Sequence, residues 1–165
     1  MGKNGETTTH LCGTFSQVEE NEFYSGGSNG QIYCWSGNQL TRTVEAHTGP
    51  CFTLCSLEEG IVSSGKDGII NLWNADCSEK LKDYDIKIEN IDEESPGILL
   101  SDNPPIRTIV MGHGALLAGS KNGEIMEIDR EGPIKVLVQG GVLKIYSNNL
   151  KVSAVRVGLI CYLRI

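Results

Sequence analysis

The sequence predicts an all-β protein built from about three successive four-stranded antiparallel sheets. Three stretches of similar pattern lead to this prediction: Tyr24–Trp35, Val62–Trp73 and Leu117–Ile128. Each combines the end of an apolar strand, a turn that closes in Asn-Gly or Asp-Gly, and a second strand of alternating pattern. The 20 glycines and the low aromatic content of 6% agree with many short strands joined by tight turns.

The glycine that closes each turn explains the similarity of the three stretches. Asn or Asp followed by Gly tolerates the positive φ angles of a two-residue hairpin turn, and the dipeptides are Asn29-Gly30, Asp67-Gly68 and Asn122-Gly123. After the second turn, Ile70 and Leu72 occupy alternate positions. This period of two is typical of a strand with one face turned inward.

The other strands follow from the same pattern. First strands are predicted at Leu11–Ser16, Cys51–Ser56 and Ile106–Met111, second strands at Glu22–Ser25, Gly60–Ser63 and Ala115–Ala118, and outer strands at Gln39–Val44, Glu79–Tyr84 and Pro133–Val138. The outer strands are the most polar, as a solvent-facing sheet edge should be.

The spacing of the turns divides the chain. Gly30 and Gly68 lie 38 residues apart, whereas Gly68 and Gly123 lie 55 apart, and the excess falls in an acidic stretch that contains proline. We interpret that stretch as a surface loop between repeats. The predicted boundaries are an N-terminal tail at 1–7, repeats at 8–46, 47–86 and 106–139, the acidic loop at 87–105, and an atypical C-terminal tail at 140–165.

The C-terminal tail shows no feature of the repeat, so we interpret it as an alternative or truncated end. Residues 152–163 are apolar enough to add a strand to an open sheet edge.

Composition and charge exclude several classes of partner. The net charge is −7, the pI is near 4.9 and there is no run of Lys or Arg, so we expect neither nucleic acid nor an acidic membrane surface as a partner. The polar start argues against a secretory signal, and no stretch reaches the roughly 18 apolar residues of a membrane helix. The six cysteines include no CxxC pair, so we expect reduced, mostly buried thiols in the cytoplasm.

The second repeat resembles a WD repeat. Ala46-His47 opens it, Ser63 ends its second strand, Asp67 lies in the turn and Trp73 ends its third strand. In WD repeats these residue types form a buried hydrogen-bond relay from Asp to His to Ser to Trp, and the resemblance implies the same relay here. The 38-residue spacing is also close to the ~40–45 residues of a propeller blade. The implied fold is an incomplete WD40 β-propeller of about three blades.

The first repeat carries His10, Ser25, Asn29 and Trp35 at nearly the same spacing. The resemblance implies a second relay there, weaker because Asn29 is neutral. The third repeat has Ala118, Asn122 and Ile128 at the corresponding places and no histidine at the relay position, so it keeps only the turn and strand pattern.

Within the WD proteins, three phrases are similar to blades of the echinoderm microtubule-associated-protein-like (EMAP-like) family: Glu45–Leu54, Pro105–Ile109 and Leu117–Ile125. The resemblance covers roughly residues 8–139. It implies a non-catalytic scaffold that binds proteins, associates with tubulin and microtubules, and resides in the cytoplasm and cytoskeleton. The hydrophobic motif implicated in tubulin binding by that family has no match in this sequence. The alternative is a generic WD40 adaptor in a signalling or ubiquitin-ligase complex.

Two constellations suggest chemistry instead. His47, Cys51 and Cys55 are spaced like half of a zinc site, but on a strand each four-residue step separates the side chains by about 13 Å. Ser63, His47 and Asp67 are the residue types of a catalytic triad, but no nucleophile-elbow sequence surrounds Ser63. We therefore expect no catalytic, cofactor-binding or metal-binding residue.

Three blades cannot close a ring, so we expect a protein partner or self-association to cover the open propeller edges. Contact residues are expected on the loops, at Ser36–Gln39, Glu45–Ala46, Thr48–Pro50 and 87–105. Within the last of these, the run Glu89–Glu94 is expected to be solvated or to contact a basic peptide.

Overall fold

The computed structural model describes residues 8–138 and the backbone of Ile145–Ser147 and Leu150–Val152. It contains three four-stranded antiparallel sheets whose strands follow chain order, which confirms the predicted fold class. The first sheet comprises β1 His10–Phe15, β2 Glu22–Gly27, β3 Gln31–Ser36 and β4 Gln39–Glu45, the second β5 Cys51–Leu57, β6 Gly60–Gly65, β7 Ile70–Asn74 and β8 Lys80–Tyr84, and the third β9 Ile106–Gly112, β10 Ala115–Ser120, β11 Ile125–Ile128 and β12 Ile134–Val138.

The glycines of the repeated turns are required for two reasons. Gly30, Gly68 and Gly123 have φ angles of 86°, 77° and 90°, which side chains on L-residues disfavour. The backbone also approaches closely, since a Cβ at Gly30 would lie 2.2 Å from the carbonyl oxygen of His47, and one at Gly68 would lie 2.1 Å from that of Asn103. The Gly30 and Gly68 turns thus receive the chain segment that leads into the next sheet.

The sheets stand side by side, and their first strands are neighbours. β1 contacts β5, and β5 contacts β9, so these three strands form the inner row of the assembly. β4 lies at the opposite edge of the first sheet, where most of its residues are exposed.

Two apolar clusters fill the spaces between the sheets. The cluster between the first and second sheets contains Tyr24, Ile32, Cys34, Cys51, Leu54, Ile61, Trp73 and Cys77. The larger cluster between the second and third sheets contains Val62, Ile70 and Leu72 on one side and Leu116, Met126 and Ile128 on the other. Full burial of one such side chain stabilises the fold by about 1.5–3 kcal/mol, so most of the cohesion lies between sheets.

A few hydrogen bonds between sheets fix the position of each sheet relative to its neighbour. The Thr53 hydroxyl accepts a hydrogen bond of 3.0 Å from the backbone N–H of Ile109, which joins β5 to β9. The Tyr24 hydroxyl donates to the carbonyl oxygen of Ala75 at 2.5 Å, which joins the first sheet to the second.

The acidic stretch 87–105, predicted as a surface loop, packs one side against the third sheet. It begins with a short 3-10 turn, Ile88–Asn90, and then runs along the outer strand of the third sheet, where Ile91 forms a parallel bridge with Ile134. The Gly97 N–H donates to the carbonyl oxygen of Val136 at 2.8 Å, and Leu99 is buried. Glu93 and Glu94 are exposed, whereas Ile91 and Leu99 are covered, so one side of the stretch shields part of the edge of β12.

The C-terminal tail was predicted to lack any feature of the repeat. Its described part is a two-stranded antiparallel sheet of β13 Ile145–Ser147 and β14 Leu150–Val152. The strand expected over residues 152–163 lies outside the described residues, apart from Val152.

Candidate functional site

The side chains of the second-sheet relay lie together in the interior. His47 precedes β5, and its Nδ1 lies 3.0 Å from Oδ1 and 3.1 Å from Oδ2 of Asp67. Its Nε2 lies 2.9 Å from the Ser63 hydroxyl, which also accepts a hydrogen bond of 2.9 Å from the Trp73 indole N–H. A carboxylate only accepts, so Nδ1 carries a proton and the Ser63 hydroxyl can donate to Nε2. Each of the four relay side chains therefore has a hydrogen-bond partner.

Asp67 is held in its ionised form by this arrangement. Its Oδ2 accepts a hydrogen bond from the Thr48 N–H at 3.1 Å, and its Oδ1 accepts one from the Ile69 N–H at 3.3 Å. Burial acts to raise the pKa of Asp67, but the bonds and charge of His47 together with the two backbone bonds outweigh it and lower that pKa.

Burial also decides what the Ser-His-Asp set can do chemically. Ser63 is 0% exposed, and its hydroxyl already accepts the Trp73 indole proton. A nucleophile must reach a substrate, and Ser63 cannot. The geometry therefore suits a structural role, in which the hydrogen bonds hold β6, β7 and the segment before β5 together. Among the described residues, no group of three or more His, Cys, Asp or Glu side chains is placed to hold a metal ion.

The first sheet repeats only the last bond of the relay. The Trp35 indole N–H donates to the Ser25 hydroxyl at 2.8 Å. Asn29 instead donates to the Tyr33 hydroxyl at 3.0 Å. His10 lies exposed at the start of β1, its ring 4.9 Å from that of Tyr33 in an edge-on arrangement, and takes no place in a relay.

The strand register explains the displacement of His10. His10 pairs with Gly27 across β1 and β2, as Cys51 pairs with Gly65 across β5 and β6, so His10 corresponds to Cys51 rather than to His47. β1 and β2 are joined by residues 16–21, but β5 and β6 by residues 58–59. The longer loop makes the His-to-Trp spacing match although His10 lies further along the repeat.

The third sheet contains a different set of buried hydrogen bonds, centred on Glu124, which the sequence did not predict. Glu124 is 1% exposed and accepts hydrogen bonds from the Ser120 hydroxyl and, at 3.3 Å, from the Leu100 N–H. These hydrogen bonds hold the 87–105 stretch against the turn between β10 and β11. A glutamate directly after the Asn122-Gly123 turn is the only sequence signal for them, and glutamate at a turn is commonly exposed.

The inner strands share a bulge that brings three side chains into one row. The register shifts at Leu11 in β1, at Phe52 in β5 and at Arg107 in β9. The Arg107 guanidinium lies over the Phe52 ring, 4.0 Å from its centroid. Bulges commonly re-aim side chains beside binding sites, which makes this row a candidate contact surface.

The two loop ends of the assembly differ in charge. The end that carries the Asn29-Gly30, Asp67-Gly68 and Asn122-Gly123 turns presents exposed Lys66, Lys121 and Arg107, together with exposed Glu45 and Asp102. The opposite end carries exposed acidic residues: Glu19, Glu20, Glu58, Glu59, Asp76, Glu79 and Glu131. We call these the basic end and the acidic end.

The contact segments predicted from the sequence fall at both ends. Thr48–Pro50 lies at the basic end with Thr48 exposed, and Glu45–Ala46 lies beside it. The exposed turn Ser36–Gln39 lies at the acidic end. No helix in the described part of the chain is long and apolar enough to cross a membrane.

Sequence comparisons find relatives among proteins with WD repeats, although no family model matches the chain. The chain is 32% identical over 139 residues to the ciliary WD repeat-containing protein ctxp80 of Euplotoides octocarinatus, covering 84% of this chain and 17% of that protein. It is 32% identical over 142 residues to echinoderm microtubule-associated protein-like 2 of Homo sapiens, covering 82% of this chain and 19% of that protein. The chain thus spans about a fifth of the length of these relatives.

Solved structures with the same fold are β-propellers. The β-propeller domain of Cps50 (Swd1) from Myceliophteria thermophila superposes with a TM-score of 0.61 at 14% identity, over 81% of this chain and 40% of that one. The computationally designed Ika8 protein superposes with a TM-score of 0.61 at 19% identity, over 91% of this chain and 44% of that one.

Fold and comparisons together show a chain built of β-propeller blades that is homologous to WD-repeat proteins. Its homologues include EMAP-like proteins 1 and 2, which confirms the resemblance seen in the sequence.

Proposed function

We propose that this chain is a non-catalytic scaffold of the cytoplasm that associates with the microtubule cytoskeleton. The names of its EMAP-like homologues support microtubules as the partner. Burial of the Ser-His-Asp set supports a scaffold without catalysis.

The observation that carries the proposal is the unequal charge of the two ends. Lys66 and Lys121 occupy the same place in successive sheets, since each backbone N–H donates to the carbonyl of the proline before the inner strand of its own sheet, Pro50 or Pro105. Arg107 is exposed at the same end, so three exposed cationic side chains lie there on a chain of net charge −7. Charged surfaces of this kind steer and orient a partner of opposite sign, so the basic end is the proposed microtubule contact.

Co-sedimentation of the full chain with polymerised tubulin tests the proposal. We expect the chain to pellet with microtubules. The triple variant Lys66→Glu, Arg107→Glu, Lys121→Glu should bind at least about tenfold more weakly. A matched variant at the acidic end, Glu19→Lys, Glu20→Lys, Glu58→Lys, should retain binding.

Each alternative result has a distinct meaning. No pelleting of the unaltered chain would overturn microtubule association and favour a generic WD40 adaptor. Pelleting that is lost only in the acidic-end variant would overturn the assignment of the contact to the basic end.

A further inference from the structure

Two cysteines face each other across the boundary between the first and second sheets. Cys12 lies on β1 and Cys51 on β5, and the Cys12 thiol donates to the carbonyl oxygen of Cys51 at 3.6 Å. The point where a Cβ on Gly26 would stand lies 2.6 Å from the Cys12 sulfur and 2.7 Å from the Cys51 sulfur. The absence of a side chain at Gly26 therefore provides the space in which the two sulfurs meet.

From this juxtaposition we propose that Cys12 and Cys51 form an oxidisable thiol pair that hydroperoxides convert to a disulfide between the first two blades. The two residues belong to neighbouring inner strands, so the bond would cross-link two sheets that are otherwise joined by the backbone of residues 46–50 and by non-covalent contacts. Both residues are free thiols in the structure.

The surroundings assign different roles to the two sulfurs. Cys12 is partly exposed, whereas Cys51 is 0% exposed. The neighbouring Cys51 thiol lowers the pKa of Cys12, while Cys12 and burial raise the pKa of Cys51. Cys12 is therefore the accessible nucleophile and Cys51 the resolving thiol, because thiolates rather than thiols attack peroxides.

The reaction balances with one hydroperoxide per disulfide. The Cys12 thiolate attacks the O–O bond of the peroxide, and that bond breaks to give Cys12 sulfenic acid and hydroxide or an alkoxide. The Cys51 sulfur then attacks the sulfenic sulfur, the S–S bond forms, and water leaves with the second thiol proton. The two thiols together lose two electrons, and the peroxide is reduced by two electrons.

The chain offers two internal comparisons. Cys55 lies on the opposite face of β5, where it packs against the cluster between the second and third sheets. Cys34 and Cys77 form a second thiol pair at the same sheet boundary, but both are buried. A peroxide should therefore reach Cys12 before it reaches Cys34 or Cys77.

The test is peptide mapping of the reduced full chain after treatment with hydrogen peroxide. In the variant Cys34→Ser, which leaves Cys12 as the sole cysteine of its tryptic peptide, we expect a peptide containing Cys12 linked to the one containing Cys51 and Cys55. The link should persist in Cys55→Ser, vanish in Cys51→Ser, and form several-fold more slowly in Gly26→Ala, where a Cβ occupies the space of the sulfurs. Circular dichroism of each variant establishes that it is folded.

A second readout follows the consequence of the bond. Oxidation should raise the melting temperature by about 5–10 °C through the constraint on the unfolded chain, and a thiol reductant should reverse the rise. The proposal is overturned if Cys12 is oxidised to sulfinic acid without any link to Cys51, or if the rise in melting temperature persists in Cys12→Ser.

Discussion

At the scale of single residues, Ser63 is the centre of the relay. Its one hydroxyl accepts from the Trp73 indole and lies within hydrogen-bond reach of His47, so its loss leaves two buried polar groups without that partner. Ser25 holds the same relation to Trp35, but Trp35 is partly exposed and can bond to water instead.

We therefore expect Ser63→Ala to lower the free energy of unfolding by about 2 kcal/mol or more, and the matched Ser25→Ala by about 1 kcal/mol. Urea unfolding monitored by tryptophan fluorescence measures both losses. Equal losses in the two variants would contradict a special role for the His47 bond.

Asp67 should give the relay a dependence on pH. Because the folded state lowers the pKa of Asp67, its contribution to stability is complete above the unfolded value of about 3.9 and is lost as the pH falls through the lower folded value. The stability difference between the unaltered chain and Asp67→Asn should thus be constant near neutral pH and shrink below about pH 4. Urea titrations measure the free energy of unfolding of both proteins. A difference that stays constant down to pH 2 would contradict a stabilising role for the ionised Asp67 carboxylate.

At the scale of elements, the turn glycines differ in what surrounds them. Gly30 and Gly37 both have positive φ, 86° and 58°, but nothing lies within 4 Å of the place where a Cβ on Gly37 would stand. At Gly30 the carbonyl of His47 occupies that place. One turn is thus a free hairpin, and the other is part of the contact between successive sheets.

Gly30→Ala should consequently cost about 3 kcal/mol or more, whereas Gly37→Ala should cost only the backbone strain of about 1 kcal/mol. Thermal unfolding of both variants checks the comparison. Similar losses would show that backbone conformation alone, without the approach of His47, decides the requirement for glycine.

The sequence predicted these elements well where local chemistry determines them. The Asn-Gly and Asp-Gly turns and the alternating strands set three sheets of four strands each. His10 was misplaced because equal spacing to a tryptophan conceals the longer loop 16–21, and loop length is not visible in a residue count. The Cys12 and Cys51 pair also escaped prediction, since contacts between sheets depend on packing rather than on sequence separation.

The acidic stretch 87–105 shows a different limit of the sequence. Its charges indicate a solvated loop, and Glu93 and Glu94 are indeed exposed. Two of its apolar residues, the bridged Ile91 and the buried Leu99, fix its course along β12. Average composition therefore described the solvent-facing side of the segment and missed its packed side.

At the scale of the whole molecule, each sheet after the first packs the same face against the sheet that precedes it in the chain. In the second sheet, the paired Ile61 and Trp73 are covered by the first sheet. The corresponding pair in the first sheet is Phe23 and Trp35, whose rings stack 5.8 Å apart, and Phe15 continues this aromatic face. A surface that is core in the second sheet is thus open to solvent in the first, where Phe15 is 79% exposed.

This aromatic face should make the chain self-associate, because large exposed apolar patches drive protein association. Sedimentation velocity should show a mass that rises with concentration, and Phe15→Glu should shift the chain toward monomer without loss of stability, since Phe15 contributes little to the core. Ile98→Glu is the matched control, because Ile98 is also exposed, at 68%, but lies on the 87–105 stretch. A monomer at all concentrations, or an equal effect of both substitutions, would show that the aromatic face does not drive association.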